Sequence, residues 1–297
     1  MTLDFRVDNA HFINSNSVCG SVSIVMSSIL TAVFKATIGL LVNKGRDKAA
    51  EKLKDGDPTD QRFRGLIVRE IDDIKSKLDG LAKKDLLAST SFFKEGIELL
   101  YKVFEKVKMA RRGCSDVTAG TVSSEAVALT QGIRKLELTG LDESTSRALV
   151  NAKKRFERSR EKATEAFANE ALELSDRVLA MQYRVMATIL ETVDNPEEAL
   201  PACRVCIEEL HSLSAVKEYF FIELKKGFRS RISKAERRAL IATVCHVNRV
   251  VYDVMLMVAR RGEGCLLPCI EYGEQSVDPI RDSRVSEVLH KDRKSVV

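Results

Sequence analysis

STSRALVNAKKRFERSREKATEAFANEALELSDRVLAMQYRVMATILETVD, residues Ser144 to Asp194, contains neither glycine nor proline. At the helical rise such a segment, about fifty residues, spans roughly 75 Å. Its positions Phe167, Ala171, Leu174, Val178, Met181 and Val185 step 4, 3, 4, 3, 4, so they line one face of a helix. The segment therefore predicts one very long amphipathic helix over about 144–194. Asn195-Pro196 ends it, and Pro196 suits the first turn of the helix that follows.

The rest of the 297 residues reads the same way. Gly and Pro number only 15 and 5, too few for a turn-rich β-sandwich, a collagen-like chain or a low-complexity linker. Ile67, Ile71, Ile74, Leu78 and Leu81 step 4, 3, 4, 3 after the break at Asp55-Gly56-Asp57-Pro58, with Thr59 available as a cap. Phe93, Ile97, Leu100, Phe104 and Val107 repeat those steps, so the helices over 63–85 and 93–108 are expected to fold back as an antiparallel pair. Further helices are expected over about 122–138, from Pro196 to Ser212, and over 214–228. Ser233 followed by Glu236 is a capping-box pattern opening a helix whose Leu240, Val244, Val247, Val251, Val254 and Val258 again form one stripe. Only 266–272 alternates weakly like a strand. The expected fold is all-α, an elongated helical bundle with coiled-coil-like antiparallel pairs.

The chain divides accordingly. A tail (1–17) precedes an N-terminal helical unit (18–110), a linker (111–121) with the loose sequence GCSDVTAGT, and a main bundle (122–260). An irregular segment with a short helix (261–291) follows. The last six residues, Asp292-Arg293-Lys294-Ser295-Val296-Val297, read as a translated sequencing adapter, so the natural protein is expected to continue past Lys291.

One segment has functional content. From Asn9 to Phe34 there is no Asp, Glu, Lys or Arg, and 18–42 is dominated by aliphatic residues, among them Val22, Val25, Ile29, Val33, Ile38 and Leu41. Its length permits a membrane crossing. Lys35 interrupts it, close enough to the end to snorkel, and Lys44, Arg46 and Lys48 form a basic flank. Three readings stand side by side: a central helix buried by the bundle, a constitutive transmembrane helix, and a helix released to membrane on a trigger.

Other chemistry is sparse. Cys203-Arg-Val-Cys206, His211, Cys245 and His246 form the one metal-like set, and zinc accepts such ligands. Yet both CxxC cysteines lie on the apolar stripe Ala199, Cys203, Cys206, Leu210, Leu213, where cysteine behaves as a small hydrophobe. No phosphate-binding, dinucleotide, metalloprotease or nucleophile-elbow motif occurs. Adjacent carboxylates such as Asp72-Asp73 and Glu208-Glu209 point about 100° apart on a helix and do not converge. The 48 basic and 43 acidic residues nearly balance, which gives no case for nucleic acid. No enzyme activity and no cofactor is expected. Cysteine number is odd, at 7, and no secretory signal is recognisable, so the expectation is a cytoplasmic protein with membrane association through 18–42. Partners are expected to be proteins, or a second copy, engaged through the heptad stripes.

The apolar segment, the break, and REIDDIKSKLDGLAKK (Arg69 to Lys84) together resemble the rapunzel-like helical proteins. Ile71, Ile74, Lys77, Leu78, Asp79 and Leu81 match their φxxφxxKLDxφ core. The layout over 18–110 also looks like α-helical pore-forming toxins and HeLo-type death-signalling bundles. That resemblance implies a second function, a membrane-perturbing protein that releases its N-terminal apolar hairpin. Residues 140–260 look like uncharacterised coral and lancelet segments, some of which continue into NHL-type repeats.

Overall fold

The structure is a computed structural model that describes residues 33–35, 37–41, 60–78, 80–112, 143–224, 233–258 and 266–285. Val22, Val25, Ile29, Thr59, Val107's side chain, the linker 113–121, the expected helix 122–138 and the tail 292–297 lie outside the described residues. Residues 33–35 and 37–41 are helical (α1). The further helices are α2 (Gln61–Lys75), α3 (Lys84–Arg112), α4 (Glu143–Ala168), α5 (Leu174–Glu191), α6 (Leu200–Ser212), α7 (Ser214–Leu224) and α8 (Lys234–Val258). One antiparallel hairpin, β1 (Ile270–Tyr272) and β2 (Gln275–Val277), completes the fold. The chain is an all-α bundle.

The long helix of 144–194 does not form as one piece. It breaks after Ala168 and restarts at Leu174, and α4 and α5 pack antiparallel. Asn169 supplies the break without glycine or proline. Its Oδ1 accepts from the Ala171 main chain at 3.0 Å, an alternative to the helical ladder that asparagine offers readily. Its Nδ2 donates to the Ala82 carbonyl at 3.1 Å, and Arg177 Nε donates to the Phe167 carbonyl at 2.9 Å across the turn. Ala171, expected on the stripe, stands exposed in that turn. A straight helix would leave its apolar face in water, whereas the reversal buries both halves against each other.

Helix α5 becomes the centre of the molecule. Val178 to Met181, Tyr183 and Val185 to Leu190 are all buried, so α5 is apolar on nearly every side. Helices α3, α4, α6 and α8 all touch it. A single hydrophobic core runs from Val33 through α2, α3 and α4 to Val285, so the expected units 18–110 and 122–260 share it.

The pairing of α2 with α3 is antiparallel, as expected, with Lys94 Nζ donating to Asp72 Oδ1 at 2.6 Å and Arg64 paired with Glu98. The more extensive partner of α3, however, is α4. Lys162–Asp85 (3.3 Å), Ser159–Ser89 and Arg155–Glu95 (3.1 Å) step along the two helices in opposite directions. Ser89 and Ser159, both fully buried, donate to each other's carbonyls at 2.8 and 2.9 Å. Hydroxyls satisfied in this way let two backbones approach without a buried orphan.

Ile67, Ile71, Ile74, Leu78, Phe93, Ile97, Leu100 and Phe104 are buried, as their spacing predicts. Leu81 is the correction. It is 88% exposed, because α2 ends at Lys75 and Gly80, at φ +96°, leads into a short 3-10 helix (Leu81–Lys83) on the surface.

The capping box at the start of α8 is present in both directions. Glu236 N donates to Ser233 Oγ and Ser233 N to Glu236 Oε2, each at 3.2 Å. At the same end Glu223 of α7 accepts from Arg238 at 2.8 Å and Arg237 at 3.3 Å, with both partners largely buried. Burial alone would raise the Glu223 carboxyl, but the two guanidinium groups outweigh it and hold it below its ordinary range. The weak strand signal at 266–272 is realised as β1, with Gly273 at φ +60° making the hairpin turn. Ile270 and Val277, paired across the hairpin, are both buried, and Tyr272 stacks on Phe221 at 5.2 Å.

Candidate functional site

The end of the apolar segment occupies a slot built by four other helices. Phe34 is fully buried, with ring centroids 5.4 Å from Phe104, 5.8 Å from Tyr101 and 6.5 Å from Phe63. The Phe104 and Tyr101 contacts are edge-to-face, the favoured geometry for aromatic pairs. Helix α3 brings Tyr101 and Phe104, one turn apart, to the same side, and α2 places Phe63 opposite. Val33, Ile38, Leu40 and Leu41 are at most 4% exposed.

The polar groups of the slot are satisfied with economy. Thr37 Oγ1 donates to the Val33 carbonyl at 2.6 Å, which permits a fully buried hydroxyl. Gln182, a buried amide on α5, directs Nε2 to the Leu40 carbonyl at 3.5 Å. Gly39 faces α8, where a Cβ added to it would lie 3.9 Å from His246 Nε2. Lys35 sits on the half-buried side of α1.

Of the residues expected in the apolar helix, Val33, Ile38 and Leu41 are core and Lys35 lies at its margin. The seat itself was not legible. Phe63, Tyr101, Gln182 and His246 come from distant helices. Among the described residues the helix long and apolar enough to cross a membrane is α8. Its Ile241, Val244, Val247, Val251, Val254 and Val258 are buried in the bundle.

The cysteine and histidine set does not assemble. Among the described residues no three His, Cys, Asp or Glu side chains are placed to share a metal ion. Cys203, Cys206 and Cys245 are buried, and burial raises all three thiols, Cys206 to about 11 and Cys245 to about 12, against the thiolate that metal binding needs. His211 is used elsewhere. Asn248 Nδ2 donates to the Val244 carbonyl at 2.9 Å and lies 3.0 Å from His211 Nε2. These side chains are apolar packing and an α6–α8 tie.

Burial lowers the His211 pKa from 6.5 to about 4. Between those values the unfolded chain binds a proton that the folded chain refuses, so stability rises with pH across the window. The contribution is complete above 6.5 and is lost on acidification toward 4, a change of about 3 kcal/mol. Urea unfolding of the wild type between those pH values is expected to show this slope, and His211→Gln to flatten it. Parallel curves for the two proteins would assign the slope to another group.

The fold and the seat define a class, an all-α bundle that packs the end of an apolar N-terminal segment into its own core. No protein-family model matches the chain, and neither does a curated protein or a solved structure.

Proposed function

We propose that this protein is a non-enzymatic helical interaction module, cytoplasmic, in which the end of the apolar segment 18–42 acts as a core element and the segment is not a permanent membrane anchor. The observation that carries the reading is the seat of Phe34 among Phe63, Tyr101 and Phe104, with the Leu40 carbonyl facing Gln182. Several aromatic contacts and a buried amide would be lost if this end moved into lipid. Association with partners runs through the outer faces of the long helices, whose inner faces are committed to the core. The resemblance of 18–110 to rapunzel-like proteins fits such a module, and the pore-forming alternative becomes an outcome of its test.

That test is liposome flotation and dye leakage with the full-length protein at neutral pH. The wild type is expected to remain in the soluble fraction, unfold cooperatively and cause no leakage. Spontaneous leakage by the wild type would overturn the proposal and favour release of the N-terminal hairpin.

A further inference from the structure

The antiparallel pair α3/α4 has two grooves. On one flank of α4, Lys153 and Arg160 reach Asp194 and Glu191 at the α5 end of the hairpin, at 2.7 and 2.6 Å, so α5 fills that groove. The opposite flank is a cleft of about 650 Å³, open to solvent and lined by Leu99, Asn151, Lys154, Arg155, Glu157 and Arg158. We infer that this outer groove docks an acidic amphipathic helix of a protein partner. The inference rests on the interaction-module reading and names the partner's chemistry.

Shape and charge both support it. Leu99 forms an apolar floor, and Phe92, Glu95, Leu99, Lys102 and Lys106 share one face of α3 by their 3, 4, 3, 4 spacing. From Phe92 to Lys106 that face is about 21 Å long, enough for about four turns of a third helix. Arg155 is held over the Phe92 ring at 5.8 Å while pairing with Glu95, so one cation is fixed at the edge of the floor. Arg158 pairs with Glu161 at 3.1 Å and keeps most of its side chain exposed. Lys102 and Lys154 are exposed, and among the described residues neither has an ion-pair partner. The cleft lining thus carries three cations against one carboxylate. Placed beside a partner's acidic residues, these cations set orientation and association rate. Glu95 and Glu157, interspersed among them, oppose a uniform sheet of lipid phosphates but suit a patterned peptide. The concave floor argues the same way, since a bilayer surface cannot enter it.

The test uses full-length protein and two labelled helical peptides of about fifteen residues, long enough to run the groove. Both carry leucine on one face, and the remaining positions are Glu in one and Lys in the other. Anisotropy titrations are expected to show saturable binding of the Glu peptide only. The double reversal Lys102→Glu with Lys154→Glu is expected to weaken that binding by about tenfold or more and to create binding of the Lys peptide. Lys154→Gln should move the affinity in the same direction by less, and both variants should unfold like the wild type because among the described residues these side chains hold no ion-pair partner. Equal affinity for both peptides overturns the inference, as does insensitivity to the double reversal. A third arm uses phosphatidylserine-containing vesicles; vesicle binding that the reversal abolishes, with no peptide binding, assigns the face to lipid and also overturns it. Any of these failures leaves the Phe34 seat and its flotation result untouched, so the two readings fail separately.

Discussion

Gly96→Val is expected to destabilise the protein by about 3 kcal/mol or more, read as a lowered urea midpoint with unchanged slope. A Cβ at Gly96 would stand 2.7 Å from the Phe156 ring. That ring cannot retreat, because Phe156 is fully buried and packs edge-on against Phe93, which in turn meets Tyr183 of α5 at 5.3 Å. In an exposed helix, replacing glycine would gain a few tenths of a kcal/mol to about 1 kcal/mol in propensity. Here the overpacking is larger and opposite in sign, so the substitution reports tertiary packing against local preference. Combining it with Phe156→Leu should recover part of the loss, with a coupling of about 1–2 kcal/mol in the double-mutant cycle. Strict additivity of the two would show that Gly96 and Phe156 do not constrain each other.

Phe34→Ala is expected to cost about 3–5 kcal/mol, the range for removing a fully buried aromatic side chain. Its consequence for function is separate from that number. With Phe34 gone, the segment end held among Phe63, Tyr101 and Phe104 loses its anchor, and the sequence from Asn9 to that point carries no formal charge. Flotation of the variant with neutral liposomes should rise above that of the wild type while circular dichroism still reports a helical protein. Gln182→Leu provides the milder comparison. It removes the donor facing the Leu40 carbonyl and should cost about 1 kcal/mol without the loss of aromatic packing. Wild-type-like stability of Phe34→Ala would mean that α1 does not depend on this slot.

Much of the fold was legible before any coordinates. The heptad spacing of Ile67, Ile71, Ile74 and Leu78, and of Phe93, Ile97, Leu100 and Phe104, identified faces that are in fact buried. Ser233 and Glu236 announced the start of α8, Asn195-Pro196 closed the α5 region, and the alternation near 266–272 marked a strand. Leu81 misled because it continued a stripe past Lys75, where α2 ends, and past Gly80 at φ +96°. Ser144 to Asp194 misled because asparagine, unlike glycine or proline, only permits a break. Whether a helix continues through such a residue depends on what its two halves can bury by turning back.

The sequence by itself determined that this chain is helical, which face of each helix is apolar, and where several helices start. Those properties follow from periodicity and from capping side chains, which act within a few residues. The tertiary structure alone decided that α5 is enclosed by α3, α4, α6 and α8. It also decided that α4 is the main partner of α3, and that Gly96 and the Ser89–Ser159 exchange admit the close crossing. The slot for Phe34 is of the same kind, assembled from residues as far apart as Phe63 and Gln182. An apolar stripe states that a face must leave water; only the competition among all such faces for cover settles which neighbour removes it.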